Sequence, residues 1–144
     1  MKKRTIRILT LVILLSLFLS MAASASVNAS EYIAITSTWL TRDANDPNTV
    51  KINFYIVGTT SSMDQIGAKR ILLYERDGNT WNLVKHYDYS DPLYASTLMR
   101  SNSSAHVGYV TYAGSASKQY YAAVRFYSEK DGGSDYFDHE TPIG

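Results

Sequence analysis

The chain has 144 residues, 45% of them apolar and 19% charged, and it contains no cysteine. That length suits one domain, and the missing cysteine excludes a disulfide scaffold, a thiol nucleophile, a thiolate metal site and an acylated lipoprotein anchor. The formal charge of the whole chain is +1.

Residues 1–25 read as a secretion signal. Lys2, Lys3, Arg4 and Arg7 make a positive start, and Ile8 to Leu19 is an apolar run broken only by Thr10 and Ser16. Ala23-Ser24-Ala25 then supplies the small residues of a cleavage site. The run is shorter than the ~20 residues that span a bilayer. Cleavage is expected after Ala25, alternatively after Ala29, with a β domain over 30–144. Cleavage at Ala25 removes four of the 14 basic residues and leaves ten against 13 acidic ones, a net charge of −3. That surface favours neither nucleic acid nor, once the signal is gone, an anionic membrane. No sorting motif or apolar tail follows, so a secreted, extracellular product is expected.

From Glu31 onward the chain reads as strands and turns. Glu31 to Leu40 is rich in Ile, Thr, Tyr and Trp, which suit a half-buried pleated surface. Val50, Ile52, Phe54 and Ile56 alternate with Lys51, Asn53, Tyr55 and Val57, which puts one wholly apolar face on a second strand. Ser62 to Ala68 is the best helical turn, with Met63 and Ile66 capping the core. Ile71 to Tyr74 is apolar on both faces and therefore central. Asp77-Gly78-Asn79 predicts a hairpin into Trp81–Tyr87, where Val84 breaks the alternation and predicts a bulge or a twist. Ser90 to Ala105 is the longest irregular stretch and predicts a crossover between sheets or a functional loop, with Leu93, Tyr94, Leu98 and Met99 at a binding face or over the core. Val107–Tyr112 and Tyr120–Tyr127 are further strands, and Tyr136–Glu140 is a short polar edge strand. Six or seven such strands predict an all-β antiparallel sandwich.

The chemistry-bearing residues are few. His86, His106 and His139 lack the short spacing of a metal motif, even with Glu140 added, and no Gly-x-Ser-x-Gly elbow occurs. No catalytic, metal or cofactor site is therefore assigned, and the protein is not expected to be an enzyme. Asp43-Ala44-Asn45-Asp46-Pro47-Asn48 and Asp131-Gly132-Gly133-Ser134-Asp135 hold enough oxygens for calcium, but the same residues are turn formers, and turns are the preferred reading. The Asn102-Ser103-Ser104 sequon is discounted because the export signal looks bacterial. Aromatic residues are in excess: 12 Tyr, Trp39, Trp81, Phe54, Phe126 and Phe137 all follow the signal. Several of them must face outward, among them one of Tyr120 and Tyr121.

Val110-Thr111-Tyr112-Ala113-Gly114, followed by Lys118-Gln119-Tyr120-Tyr121-Ala122-Ala123-Val124, resembles the E–F corner of fibronectin type III and immunoglobulin-like sandwiches. The resemblance implies that Tyr120, with Tyr121 as runner-up, returns its hydroxyl to the preceding loop, and that Tyr120, Ala122, Val124 and Phe126 point inward. The inter-sheet disulfide and the strand-C tryptophan of immunoglobulins are absent. The run Met63–Ala68, Leu73-Tyr74-Glu75, Asp77-Gly78, Trp81 and Lys130–Ser134 resembles small secreted proteins of Gram-positive, clostridia-like bacteria. That resemblance implies export and a β-sandwich, and no site residues. The leading functional reading is a non-catalytic module that binds a glycan or protein through tyrosines and the Ser90–Ala105 stretch. A released antibacterial or host-directed effector and a secreted enzyme are the alternatives.

Overall fold

In the computed structural model, which describes residues 30–144, the chain runs β1 (Ile33–Arg42), β2 (Thr49–Gly58), β3 (Met63–Asp77), β4 (Thr80–Asp88), α1 (Ala95–Leu98), β5 (Met99–Ser103), β6 (Ala105–Ala113), β7 (Tyr120–Lys130) and β8 (Gly133–Glu140). The expected signal, with its cleavage site after Ala25 or Ala29, lies outside the described residues. Strands β1, β2 and β6 form one antiparallel sheet in that order, and β4, β3, β7 and β8 form the other, with β5 added to β3. The architecture is the all-β sandwich that the turn spacing predicts, with an immunoglobulin-like division of strands between its two sheets.

The alternation in β2 decides the core. Val50, Ile52, Phe54 and Ile56 are buried and face Ile71, Leu73, Ala122, Val124 and Phe126 of the second sheet. Each of the larger side chains stabilises the fold by roughly 1.5–3 kcal/mol through burial. The Phe54 and Phe126 rings meet edge to face at 6.5 Å between the sheets. Buried Tyr87 on β4 spans the sandwich, and its hydroxyl donates to the Thr111 carbonyl of β6 at 2.7 Å.

Three irregularities re-aim side chains. The register of β3 against β4 slips between Leu73 and Tyr74, which pair with Lys85 and Leu83 and leave Val84 as the extra residue. Of the bulge or twist expected at Val84, the bulge is what forms. A second slip, against β7, isolates Lys69 between Ala68 and Arg70, and a third in β1 isolates Ala34 between Ile33 and Ile35. Gly78, with φ 60°, is the first of the two residues that turn β3 into β4, a position where glycine avoids Cβ strain.

Two predicted segments differ from the sequence reading. Ser62–Ala68 is not a helical turn: Met63 opens β3, and the segment pairs with β5 on one side and β7 on the other. A ladder on both edges outweighs a weak local turn preference. The strands number eight, because the irregular stretch contains β5. Its polar Met-Arg-Ser-Asn-Ser has no apolar alternation, since it lies on an exposed edge. It shares that edge of β3 with β4, so Tyr89–Leu98 is an excursion between two pieces of one edge. The crossover to the first sheet follows at Ser104, as the sequence predicted for this stretch. Leu98 plugs the core, and Tyr94 packs on Tyr87 with ring centroids 5.1 Å apart.

Tyr120 forms the predicted corner. Its hydroxyl accepts from the Ser115 amide at 2.9 Å and donates to Glu75 Oε2 at 2.7 Å. Burial, then the Glu75 carboxylate, pushes its pKa up. The Arg42 guanidinium lies 4.9 Å from the ring centroid and donates to the Ser115 and Lys118 carbonyls, which closes the loop over the ring. A Cβ at Gly114 would stand 2.6 Å from the Tyr120 hydroxyl, so glycine is required there by packing.

Candidate functional site

Because directly paired residues of antiparallel strands share a face, the β1–β2–β6 registers define the outer surface of the first sheet. The rows are Ser37–Tyr55–Val107, Trp39–Asn53–Tyr109 and Thr41–Lys51–Thr111. The bulge at Ala34 turns Ile35 outward beside them, although Ile33 two residues earlier is buried. Ile35, Trp39, Tyr55, Val107 and Tyr109 are 36–66% exposed, and they make up five of the nine exposed large apolar side chains among the described residues. A single exposed apolar residue needs no explanation, but five on one sheet face form a patch of the kind that marks an interaction surface.

The patch continues into a groove of about 550 Å³ along β6, where Trp39, Asn53 and Tyr109 face Ser96, Thr97 and Arg100 from α1 and β5. That volume is within the usual range for small-ligand sites. Close packing fixes the wall of the groove. A Cβ at Gly108 would stand 2.6 Å from the Phe54 ring and 2.9 Å from the Thr97 carbonyl, so α1 lies directly against β6. Buried His106 holds the same carbonyl through Nε2 at 2.8 Å and packs edge to face on Phe54 at 5.4 Å. Its Nδ1 is buried without a partner among the described residues. Burial lowers the His106 pKa, against the opposing hydrogen bond to Thr97, and nearby Arg100 adds to the lowering.

The electrostatics of this side are one-signed. Strands β1, β2, β5 and β6 and helix α1 contain no Asp or Glu. Lys51 and Arg100 are the cations beside the aromatic rows, and neither has an acidic partner among the described residues. Lys51 Nζ lies 4.5 Å from the Tyr109 ring centroid. Asn53 turns its amide nitrogen to Thr41 Oγ1 at 3.0 Å and the Trp39 carbonyl at 3.3 Å, which leaves Oδ1 without a donor among the described residues.

The second sheet carries aromatics and charges too, but they satisfy one another. Tyr74 and Tyr121 stack at 4.7 Å, and Trp81 meets Tyr121 edge-on at 4.9 Å. Lys69, the bulged residue of β3, lies within 4.8–5.7 Å of the Tyr89, Tyr127 and Tyr136 rings and donates to the Tyr136 hydroxyl. Arg125 grips Asp138 with two hydrogen bonds of 2.8 and 2.7 Å beside a smaller concavity of about 320 Å³.

The sequence-derived candidates scatter. His86, His106 and His139 sit on β4, β6 and β8, and no three His, Asp or Glu side chains gather to hold a metal among the described residues. The acidic loops spend their oxygens internally. Asp43 Oδ1 accepts from the Asn45 and Asp46 amides, and Asp46 accepts from Asn48 and Thr49. Asp135 accepts from Ser30 Oγ and the Tyr32 amide. Tyr87 and Tyr120 are core residues, and Leu93 is exposed and does not line the groove. Of the stretch 90–105, the parts that reach the groove are Ser96, Thr97 and Arg100. Trp39 and Tyr109 escaped the sequence reading as a pair, because their pairing depends on two registers across three strands.

No family model matches the chain, and neither curated proteins nor solved structures include a significant match.

Proposed function

We propose that this protein is a non-catalytic binding module that acts at the cell surface or outside the cell, with a glycan or protein as ligand. The observation that carries the proposal is the outer face of the β1–β2–β6 sheet, where Trp39, Tyr109 and their apolar neighbours stay exposed beside a groove. Aromatic rings on a rigid sheet offer contact area without an ordering cost, and they suit sugar rings or a protein surface. The secretion signal read in residues 1–25 supports an extracellular setting.

The test is co-sedimentation of the purified protein with intact Gram-positive cell walls. Sedimentation that soluble wall polysaccharide competes away, and that Trp39→Ala reduces at least about tenfold, is the expected result. Protein that stays in the supernatant and shows no Trp39-dependent partner would sink the proposal.

A further inference from the structure

We propose that the outer face of the β1–β2–β6 sheet takes an acidic polysaccharide, with pyranose rings laid on Trp39 and Tyr109 and their carboxylates paired with Lys51 and Arg100. This inference deepens the binding-module reading and rests on it.

Geometry supplies the first support. Trp39, Asn53 and Tyr109 form one row across three hydrogen-bonded strands. Two strand spacings separate the aromatic residues by about 10 Å, the reach of two linked sugar rings. Between them Asn53 Oδ1 has no donor among the described residues and can accept from a sugar hydroxyl. The Tyr109 ring is held by Lys51 on one face while about half of the side chain stays exposed.

Charge supplies the second. Residues 26–144 carry a net charge of −3, ten basic against 13 acidic side chains, yet this sheet and its α1–β5 flank hold no acidic side chain. A neutral glycan would not need that segregation. An anionic one is repelled by the rest of the surface and admitted here, and exclusion of like charge is a common device for selectivity. The cations flank the aromatic row: Lys51 stands in the adjacent row on β2, and Arg100 stands on the groove wall. An arginine fork and a lysine ammonium beside the rings suit carboxylates borne on successive sugars.

The same observations weigh against other occupants. A nucleic acid strand needs a track of cations along its phosphates, and this face offers two. A polyol-phosphate chain has no ring to stack on Trp39.

The experiment measures binding of the purified protein to polygalacturonate, alginate and hyaluronate, each beside its own carboxyl-reduced form. At least one acidic polymer is expected to bind, and carboxyl reduction should weaken it by about tenfold or more. Lys51→Ala and Arg100→Ala should each weaken acid binding several-fold, flatten its salt dependence and leave the melting temperature unchanged. Trp39→Ala should abolish binding, with Tyr109→Ala as a second aromatic variant if Trp39→Ala does not fold.

Equal binding to the acidic and reduced polymers overturns the acidic assignment and leaves a neutral-glycan module standing. Wall binding that needs Trp39, with none of the acidic polymers bound, also overturns the inference and keeps the module. A concentration-dependent dimer dispersed by Trp39→Ala overturns it in favour of a second copy on this face. Loss of every Trp39-dependent interaction overturns both the inference and the reading beneath it.

Discussion

The two outer faces of the sandwich are built from similar residue types and reach opposite ends. On the β4–β3–β7–β8 face, Tyr74 stacks on Tyr121, Trp81 closes on its edge, Lys69 sits among three tyrosines, and Arg125 is gripped by Asp138. On the β1–β2–β6 face, Trp39 and Tyr109 stand two strand spacings apart with Asn53 between, and the nearby cations meet no acid among the described residues. A count of aromatics therefore does not identify a binding face. An account of which ring faces and charges already have partners does, since a group satisfied inside the fold gains little from a ligand.

The comparison breaks most sharply on a pair of substitutions. Tyr121→Ala removes both the stacked and the edge contact, so it should cost about 2–3 kcal/mol in chemical denaturation and leave wall binding intact. Trp39→Ala should do the reverse, with about 1 kcal/mol or less of stability lost and binding lost with it. If both variants lost stability alone, the two faces would be equivalent and the distinction would fall.

A pH effect is expected next, and it belongs to the binding side. His106 has its pKa lowered from 6.5 by burial. Between the folded value and 6.5 the unfolded chain holds a proton that the folded chain refuses, so stability rises with pH across that window. It is complete above the unfolded value and lost as pH falls below 6.5, because protonation would charge an imidazole whose Nδ1 has no partner. His106→Gln keeps a donor for the Thr97 carbonyl and should flatten the acid limb of a melting-temperature profile taken from pH 8 to pH 5. An unchanged slope would remove His106 from the account.

Lys69→Met sharpens the opposite side. Replacing the ammonium among Tyr89, Tyr127 and Tyr136 keeps the stem and should cost about 1 kcal/mol in thermal or denaturant unfolding, with no change in binding. The smallest effect is expected for Arg125→Ala. Arg125 and Asp138 are largely solvent-exposed, so any stability difference should shrink toward nothing in high salt.

Much of the fold is legible in the residues because its signals are local. The alternation of Val50 to Ile56, the Gly78 turn, the broken period at Val84 and the corner at Tyr120 each depend on a few neighbouring positions, and the structure has all four. Met63–Ala68 misleads for the opposite reason. Met63 and Ile66 are three apart, as on a helical turn, yet both are buried because β5 and β7 draw the segment into a doubly paired strand. β5 itself is invisible locally, since a polar edge strand has no apolar face to announce it.

The site belongs to that second kind. Ile33 and Ile35 look like one face of one strand, and a single bulged residue, Ala34, sends them to opposite sides. Val107 to Tyr112 is apolar on both faces, so its sequence leaves open whether Tyr109 or Val110 is buried, and packing against β2 decides. By itself the sequence determined strand positions, turns, an all-β class and an aromatic excess, because these follow from period, turn chemistry and composition. Only the tertiary structure decided which aromatics stay open and which cations lack an acidic partner among the described residues, because both depend on register between strands far apart in the chain.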